Sequence, residues 1–481
     1  MLLKKVKKTI ENGKNISYNH HGRKVILKKR RREKMQKDMT AGKPMKILLD
    51  FTIPVFIGSV FQQFYSMMDT IIVGQFVGTK ALAAVGSTGT ISFLILGFLM
   101  GITTGFSVLT SQKFGADKME EMRQSVGNAA ILSVIVSVIM TIISMVCMRG
   151  LLTIMNTPED IFDDAYAYIM IICAGIFAQV LYNFLASILR ALGNSKTPLY
   201  FLIVAAVLNI VLDLLFIICF HMGVAGAAWA TVISQGISGL LCLLYIIKKV
   251  PELRLVRDDW RIRPNLAKHQ LSVGIPMGLQ FSITAVGTIM VQSALNTFGS
   301  YAVAAFTAGT KIENVFTQAF CALATAVSTY NAQNIGAGNL KRVKEGFHAA
   351  HKLGIIYAVV MGAVVMFAGK YMAYIFISDN IETVLPMVDI YLKCVGLFFI
   401  PLHFVNVIRN GIQGMGYGVL PMMSGVAELF GRGVTAIVAV SVSSYVGVCL
   451  ASPIAWVVAT ILLFVMYSYV MKDMEKKLYR A

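Results

Sequence analysis

Charge is what this 481-residue chain has least of: 14% of its residues are Asp, Glu, Lys or Arg, where a soluble domain carries about 25%. So little charge cannot cover a water-facing surface of this size, which excludes a soluble enzyme. The 57% of apolar residues equally excludes a disordered regulator. Cysteines number seven (Cys147, Cys173, Cys219, Cys242, Cys321, Cys394, Cys449), an odd count with no CxxC pair. Neither a disulfide scaffold nor a thiolate metal site is expected, and they read as small buried hydrophobes. The seven histidines form no His/Asp cluster of the kind a membrane-embedded enzyme needs, and His348 and His351 read as interfacial. No cleavable signal peptide is expected, because the first apolar run begins near Ile47 and is too long for a signal h-region.

What is present is hydrocarbon, with a mean hydropathy of +0.70. A membrane crossing needs about 20 apolar residues, and twelve such runs stand at roughly 47–75, 82–111, 124–148, 161–189, 197–220, 224–248, 268–298, 302–331, 344–368, 381–412, 419–444 and 446–471. The expected fold is an all-α integral membrane protein with twelve transmembrane helices in two pseudo-symmetric six-helix bundles. Charge placement supports it: with the N-terminus cytoplasmic, 21 Lys and Arg fall in inside loops, Arg190 and Arg409 among them, against Lys80, Arg149 and Lys370 outside. Both termini are then cytoplasmic.

The net charge of +19 is concentrated at one end, with 16 basic and 3 acidic residues in positions 1–46. Residues 1–45 read as a disordered cytoplasmic tail drawn to anionic lipid. No aromatic or folded platform accompanies the charge, so nucleic acid is not the expected partner. A translation start at Met35 or Met39 is the remaining reading of that stretch.

The chain also repeats itself. Ile53-Pro54 matches Ile275-Pro276, ALAAV at 81–85 matches AVAAF at 302–306, and FGA at 114–116 matches IGA at 335–337. LRALGNSKTP from Leu189 matches IQGMGYGVLP from Ile412, and Gly223-Val224 matches Gly447-Val448. The offset drifts only from 221 to 224 residues, which marks a duplicated unit. Six helices per unit is even, so the copies share one orientation and are related by an axis along the membrane normal. The expected division is a lobe at 46–248, a cytoplasmic linker at 249–266, a second lobe at 267–472 and a C-terminus at 473–481.

Ionisable groups deep inside apolar runs cost several kcal/mol and mark pathways or pairs. Asp69 lies in the first run with no basic residue within ten positions, and Asp213 lies in the fifth. Asn209, four residues earlier, shares a helix face with Asp213, and Thr231 in the sixth run offers a hydroxyl. If those helices meet, the group is an all-oxygen cluster with two carboxylates, able to take a proton or a hard cation such as sodium; the alternative is neutral acids that join helices by hydrogen bonds. Its counterparts in the second copy are Met290 or Val291 and Ala436, so the scaffold does not require acids there. The second copy has Lys311 and Glu313 in run eight and Glu428 and Arg432 in run eleven. The i,i+4 spacing of Glu428 and Arg432 suits a structural ion pair, while Glu313 is a candidate for attracting a cationic substrate. The 27 methionines suit either core filling or an adaptable cavity. No HExxH, P-loop or nucleophile elbow is present, so an ion gradient rather than ATP is the expected energy source, with no catalysis and no cofactor.

As an ordered set, several segments resemble the multidrug and toxic compound extrusion family in its prokaryotic branch, over roughly 40–475. They are MTAGKPMKILLDFTIP, DTIIVGQFVGTKALAAVG, TSQKFGADK with its partner YNAQNIGAGN, LRALGNSKTPLY, LNIVLDLLF and GVAGAAWATVISQ. The resemblance implies two six-helix lobes around a cleft with alternating access, in a plasma-membrane protein expected to act as a monomer. It implies export of drug-like, often cationic, compounds in exchange for sodium or protons. The family's first-lobe cation site looks like Asp69, Asn209, Asp213 and Thr231. Many members have Pro after the span-five acid where this chain has Leu214, so that helix is expected to bend less. Another branch has an acid in span seven, where this chain offers only Gln280; a second-lobe sodium site of that type is in doubt, leaving Gln280 and Glu313 as candidate substrate contacts. A lipid or polysaccharide-precursor flippase of the same superfamily is the competing reading.

Overall fold

Hydrocarbon offers the backbone no hydrogen-bond partner, so segments that cross it must satisfy themselves as helices. The computed structural model describes residues 17–18, 24–25, 38–155, 157–375 and 381–479; the KKRRR stretch of the basic tail lies outside them. Apart from a two-residue antiparallel ladder (β1, Ser17–Tyr18; β2, Lys24–Val25), the described residues form fourteen α-helices. The first seven are α1 (Pro44–Phe76), α2 (Thr79–Gly115), α3 (Met119–Ile154), α4 (Glu159–Ala174), α5 (Ile176–Ala191), α6 (Lys196–Leu214) and α7 (Gly223–Lys249). The second seven are α8 (Pro264–Asn296), α9 (Ser300–Gly336), α10 (Leu340–Met372), α11 (Ile381–Leu397), α12 (Phe399–Gly414), α13 (Val419–Ser441) and α14 (Tyr445–Tyr479).

Nine of the described helices are individually long and apolar enough to cross a membrane. The pairs α4–α5 and α11–α12 qualify together, bent by 47° and 50° at their junctions. Helix α9 has the length, 37 residues, but Lys311 and Glu313 dilute its apolar run. Its correspondence to α2, also 37 residues, completes twelve crossings. The duplication extends to backbone detail: left-handed conformations recur in pairs at Gly78 and Gly299, Asp117 and Gly338, Gly193 and Gly416, and His221 and Ser443. Gly78 and Gly299 stand directly before α2 and α9, and the other three pairs follow the end of a helix.

The segments that lead into the first helix of each lobe dock on the opposite lobe. Just before α1, Met39 is buried in the second lobe; its N–H donates to Gln333 Oε1 at 2.9 Å and its carbonyl accepts from Arg342 at 3.2 Å. Residues 38–43, assigned above to the tail, are therefore docked. Symmetrically, the stretch before α8 binds the first lobe, where the Arg263 N–H donates to Asn128 Oδ1 at 2.9 Å and the Asn128 amide donates to Gln270 at 2.6 Å. The linker is shorter than expected, since α8 already starts at Pro264. Helix α8 then lies on α2 through two glycine pairs at helical spacing, Gly101 and Gly105 against Gly274 and Gly278. A Cβ on Gly101 would stand 2.6 Å from the Met277 carbonyl oxygen, so only glycine permits this approach, the packing mode that substitutes in lipid for a hydrophobic driving force.

Helices α2 and α9 cross at the face that carries the turns after α2, α5, α9 and α12, with Lys118, Arg190, Lys196, Lys341 and Arg342 at or beside the first three. Along 101–111 every α2 residue except Thr104 is buried, and along 322–334 every α9 residue except Thr325; nearer the opposite face both helices are exposed at helical intervals. The lobes are thus joined at the basic face and part toward the other. Only Cys173, Cys242 and Cys449 are buried; Cys147, Cys219 and Cys321 lie exposed. This departs from the expected burial, because a lipid-facing residue carries the same apolar signature as a core residue.

Candidate functional site

Helix α1 carries Asp69 about two turns from its end at the face opposite the basic turns. Helix α6, running the same way, brings Asn209 and Asp213 to the same depth, and α7 returns with Thr231 and Gln235. These helices pack on one another inside the first lobe. Asp213 is fully buried and Asp69 is 7% exposed. Their carboxylates lie within each other's electrostatic reach, and the hydroxyls of Tyr65 and Tyr168 lie in the field of both. The Asn209 amide donates to Thr231 Oγ1 at 3.4 Å, and Gln235 Nε2 donates to the Tyr65 hydroxyl at 3.5 Å. All four residues assigned above to a cation site are therefore brought together.

The oxygens of this group are largely uncommitted. Asp69 Oδ1, Asn209 Oδ1, both carboxylate oxygens of Asp213 and Gln235 Oε1 are buried without a hydrogen-bond partner among the described residues. Neither acid forms an ion pair with a described residue, in contrast to the second lobe. Buried acceptors are almost always paired, and isolated buried carboxylates are costly. Five unpaired acceptor oxygens on three packed helices have the donor chemistry that a proton or a hard monovalent cation satisfies. Immediately after Leu214 the α6 helix gives way to a π-helical turn, Leu215–Cys219. The absence of proline therefore does not leave this helix regular; it loosens directly beyond Asp213, as helices often do at functional sites.

The second lobe has opposite polarity at the corresponding place. Arg432, 223 residues after Asn209, is buried and packs against Gly287 of α8. Its guanidinium donates to Glu428 Oε2 at 3.2 Å, and Arg409 Nη1 donates to Glu428 Oε1 at 2.6 Å. The pair anticipated above is thus a triad whose third member, Arg409, lies buried within α12 rather than in a loop. Glu313 accepts the Tyr391 hydroxyl hydrogen bond from α11 and lies within electrostatic reach of Arg432. Gln280 is buried and its Oε1 accepts from Gln413 Nε2 at 2.7 Å, a contact within the second lobe. His351 is not interfacial either: its Nδ1 lies 3.2 Å from Nε2 of the fully buried His403. Tyr65, Tyr168 and Gln235 were missed from sequence; the available signal was helical spacing, Tyr65 preceding Asp69 by four residues and Gln235 following Thr231 by four.

Comparison with known proteins bears on the same two lobes. A family model described as MatE matches residues 54–215 and again 276–438. The "Probable multidrug resistance protein YpnP" of Bacillus subtilis (strain 168) is 34% identical over 377 residues, which cover 78% of this chain and 83% of that protein. The "FAD transporter" of Shewanella oneidensis is 26% identical over 375 residues, 76% of this chain and 82% of that protein. Among solved structures, one described as an outward-facing conformation of a multidrug resistance MATE family transporter superposes with a TM-score of 0.85 at 24% identity, over 91% of this chain and 98% of that one. A MOP superfamily transporter from Pyrococcus furiosus, described as having a binding pocket of reverse polarity, gives 0.86 at 24% identity, over 91% and 98%. These two establish a shared fold.

Proposed function

The chain belongs to the MatE family of multidrug efflux transporters, and on that premise we propose that it is a secondary antiporter that expels drug-like, often cationic, organic compounds in exchange for sodium ions or protons. The observation that carries this reading is the pair of buried acids in the first lobe, Asp69 and Asp213, whose oxygens have no basic partner among the described residues. Asn209 and Thr231 complete the shell, and Tyr65, Tyr168 and Gln235 surround it. By the positive-inside rule the basic face is cytoplasmic. The state described is then closed toward the cytoplasm, and the substrate occupies the space between the lobes.

Coupling requires that ion and substrate favour different states of the same protein. Two carboxylates that repel each other when ionised hold the α1 and α6 segments apart; a cation or proton between them removes that repulsion. The loosened π-helical turn after Leu214 gives α6 a place to yield. Arg432, held at the corresponding position of the second lobe by its ion pair with Glu428, supports a single exchangeable site per molecule, with the second lobe fixed.

The test is efflux of a fluorescent organic cation from vesicles bearing Asp69→Asn and Asp213→Asn. Loss of gradient-driven efflux with normal insertion and folding is expected; efflux at the wild-type rate with both changes removes the mechanism. Phosphate-linked substrates, as a flippase requires, call for embedded cations facing the cleft, but Arg409 and Arg432 are both committed to Glu428 and Arg190 lines a cavity of about 30 Å³, too small for a lipid-linked sugar. Labelled lipid-linked sugars scrambled at a substantial rate would reverse that conclusion.

A further inference from the structure

Where α2 and α9 cross, a small cavity of about 30 Å³ is lined from both lobes. Its lining is pseudo-symmetric: Thr104 answers to Thr325, Ser107 to Ser328, and Ser187 to Asn410. Two residues of α5 break the symmetry, Ala191 and Arg190, and only Arg190 is charged. Arg190, in the last turn of α5, lines the cavity, and its counterpart Gln413 does not. Among the described residues Arg190 has no acidic partner; its guanidinium donates to Ser187 Oγ at 3.2 Å. The cavity contains no carboxylate, and Arg190 is partly buried there, where an arginine is ordinarily paired.

The hydroxyls around Arg190 divide into two sets. Ser107, Ser111, Thr325 and Thr329 spend their protons on backbone carbonyls. Thr104, Ser187 and Ser328 donate to no described residue, and all three line the cavity. One guanidinium and three uncommitted hydroxyl donors, with no acid, make a site that attracts negative charge. One water needs roughly 10–15 Å³ of such volume, so the cavity admits a group of halide size and excludes an organic substrate.

We propose that this cavity binds a small monovalent anion, of the size of chloride, and that the anion holds the lobes in the state closed at the basic face. The second part follows from the first, because Thr104, Ser187 and Arg190 come from one lobe and Ser328 from the other. Separation of the lobes dismantles the site, so the anion binds one state only and shifts the equilibrium toward it. This inference does not depend on the cation site in the first lobe.

The test uses the full-length protein in lipid nanodiscs at constant sodium, with chloride exchanged for gluconate. Thermal unfolding is followed alongside the separation of spin labels at Lys118→Cys and Lys341→Cys, placed in a background whose native cysteines are replaced by serine, which report the basic-face gap. Chloride and bromide should raise the unfolding midpoint saturably and enrich the short label distance. Arg190→Gln should abolish both responses, Arg190→Lys should retain them, and Ser187→Ala with Ser328→Ala should raise the half-saturating chloride concentration tenfold or more. Asp69→Asn with Asp213→Asn should leave the chloride response intact, which separates this proposal from the coupling mechanism. Anomalous scattering from bromide at Arg190 decides the matter should Arg190→Gln fail to fold. A response that does not saturate, one that persists in Arg190→Gln, or only water beside the guanidinium in bromide-soaked crystals overturns the proposal.

Discussion

Replacing either of two glycines at the crossing of α2 and α9 should open the protein toward its basic face. Gly115 and Gly336 are repeat equivalents, and each faces the other helix's backbone: a Cβ on Gly115 would overlap the Gln333 carbonyl, and one on Gly336 the Gln112 carbonyl. These partners cannot rotate away as side chains do. The same two glutamines seal the closure, Gln333 Nε2 donating to the Ala191 carbonyl at 2.9 Å and Gln112 Nε2 to the Gly414 carbonyl at 3.3 Å. Inserting one methyl into a packed site costs about 1–3 kcal/mol. The alanine itself is a better helix former than glycine, so the penalty falls on the closed arrangement alone. Set against two states a few kcal/mol apart, that penalty moves their ratio by roughly 5- to 150-fold. Gly115→Ala should lengthen the spin-label distance between positions 118 and 341, and Gly336→Ala should do the same by symmetry. Helix content and expression should be unchanged. An unaltered distance distribution in both variants would refute the closure geometry; a loss of folding in both would show that the crossing is a permanent joint and not a gate.

Three further outcomes follow from named contacts. Glu428→Gln strands Arg409 and Arg432 as buried charges, which should cost about 3–5 kcal/mol and lower the thermal midpoint, whereas replacing all three by apolar residues of similar size should restore it. Gly278→Leu thrusts a side chain into Phe98, whose ring already stands 2.8 Å from the Cβ position, and should separate α8 from α2 with a stability loss above about 2 kcal/mol. Asn209→Ala or Thr231→Val removes one oxygen from the first-lobe cluster. Each should raise the ion concentration that half-maximally drives efflux by about tenfold, as loss of one charge-assisted bond predicts, without changing the maximal rate.

Much of this architecture was legible because lipid simplifies the rules. Runs of about 20 apolar residues, basic turns on one side and a repeat offset near 222 follow from hydropathy and counting, and the left-handed caps at Gly78 and Gly299 repeat that offset in the backbone. Asp69 and Asp213 stood out because a carboxylate in hydrocarbon needs a reason. What stayed hidden needed the third dimension. Arg190 and Arg409 sit close to chain turns, and sequence cannot distinguish a buried last helical turn from a loop. His351 and His403 are 52 positions apart in sequence and meet only through the packing of α10 on α12. The docking of Met39 on the second lobe is a long-range event with no local signature. Lipid-facing and core-facing cysteines look alike because lipid tails are as apolar as leucine.

The most direct measurement is equilibrium ion binding to the purified protein, by radiolabelled sodium and by proton uptake in weakly buffered solution. One ion per chain, lost when Asp69→Asn and Asp213→Asn are combined and retained when Glu428→Gln or Glu313→Gln is made in a folded background, is the expected result. Undiminished stoichiometry in the double variant would contradict the assignment of the driving ion to the first lobe.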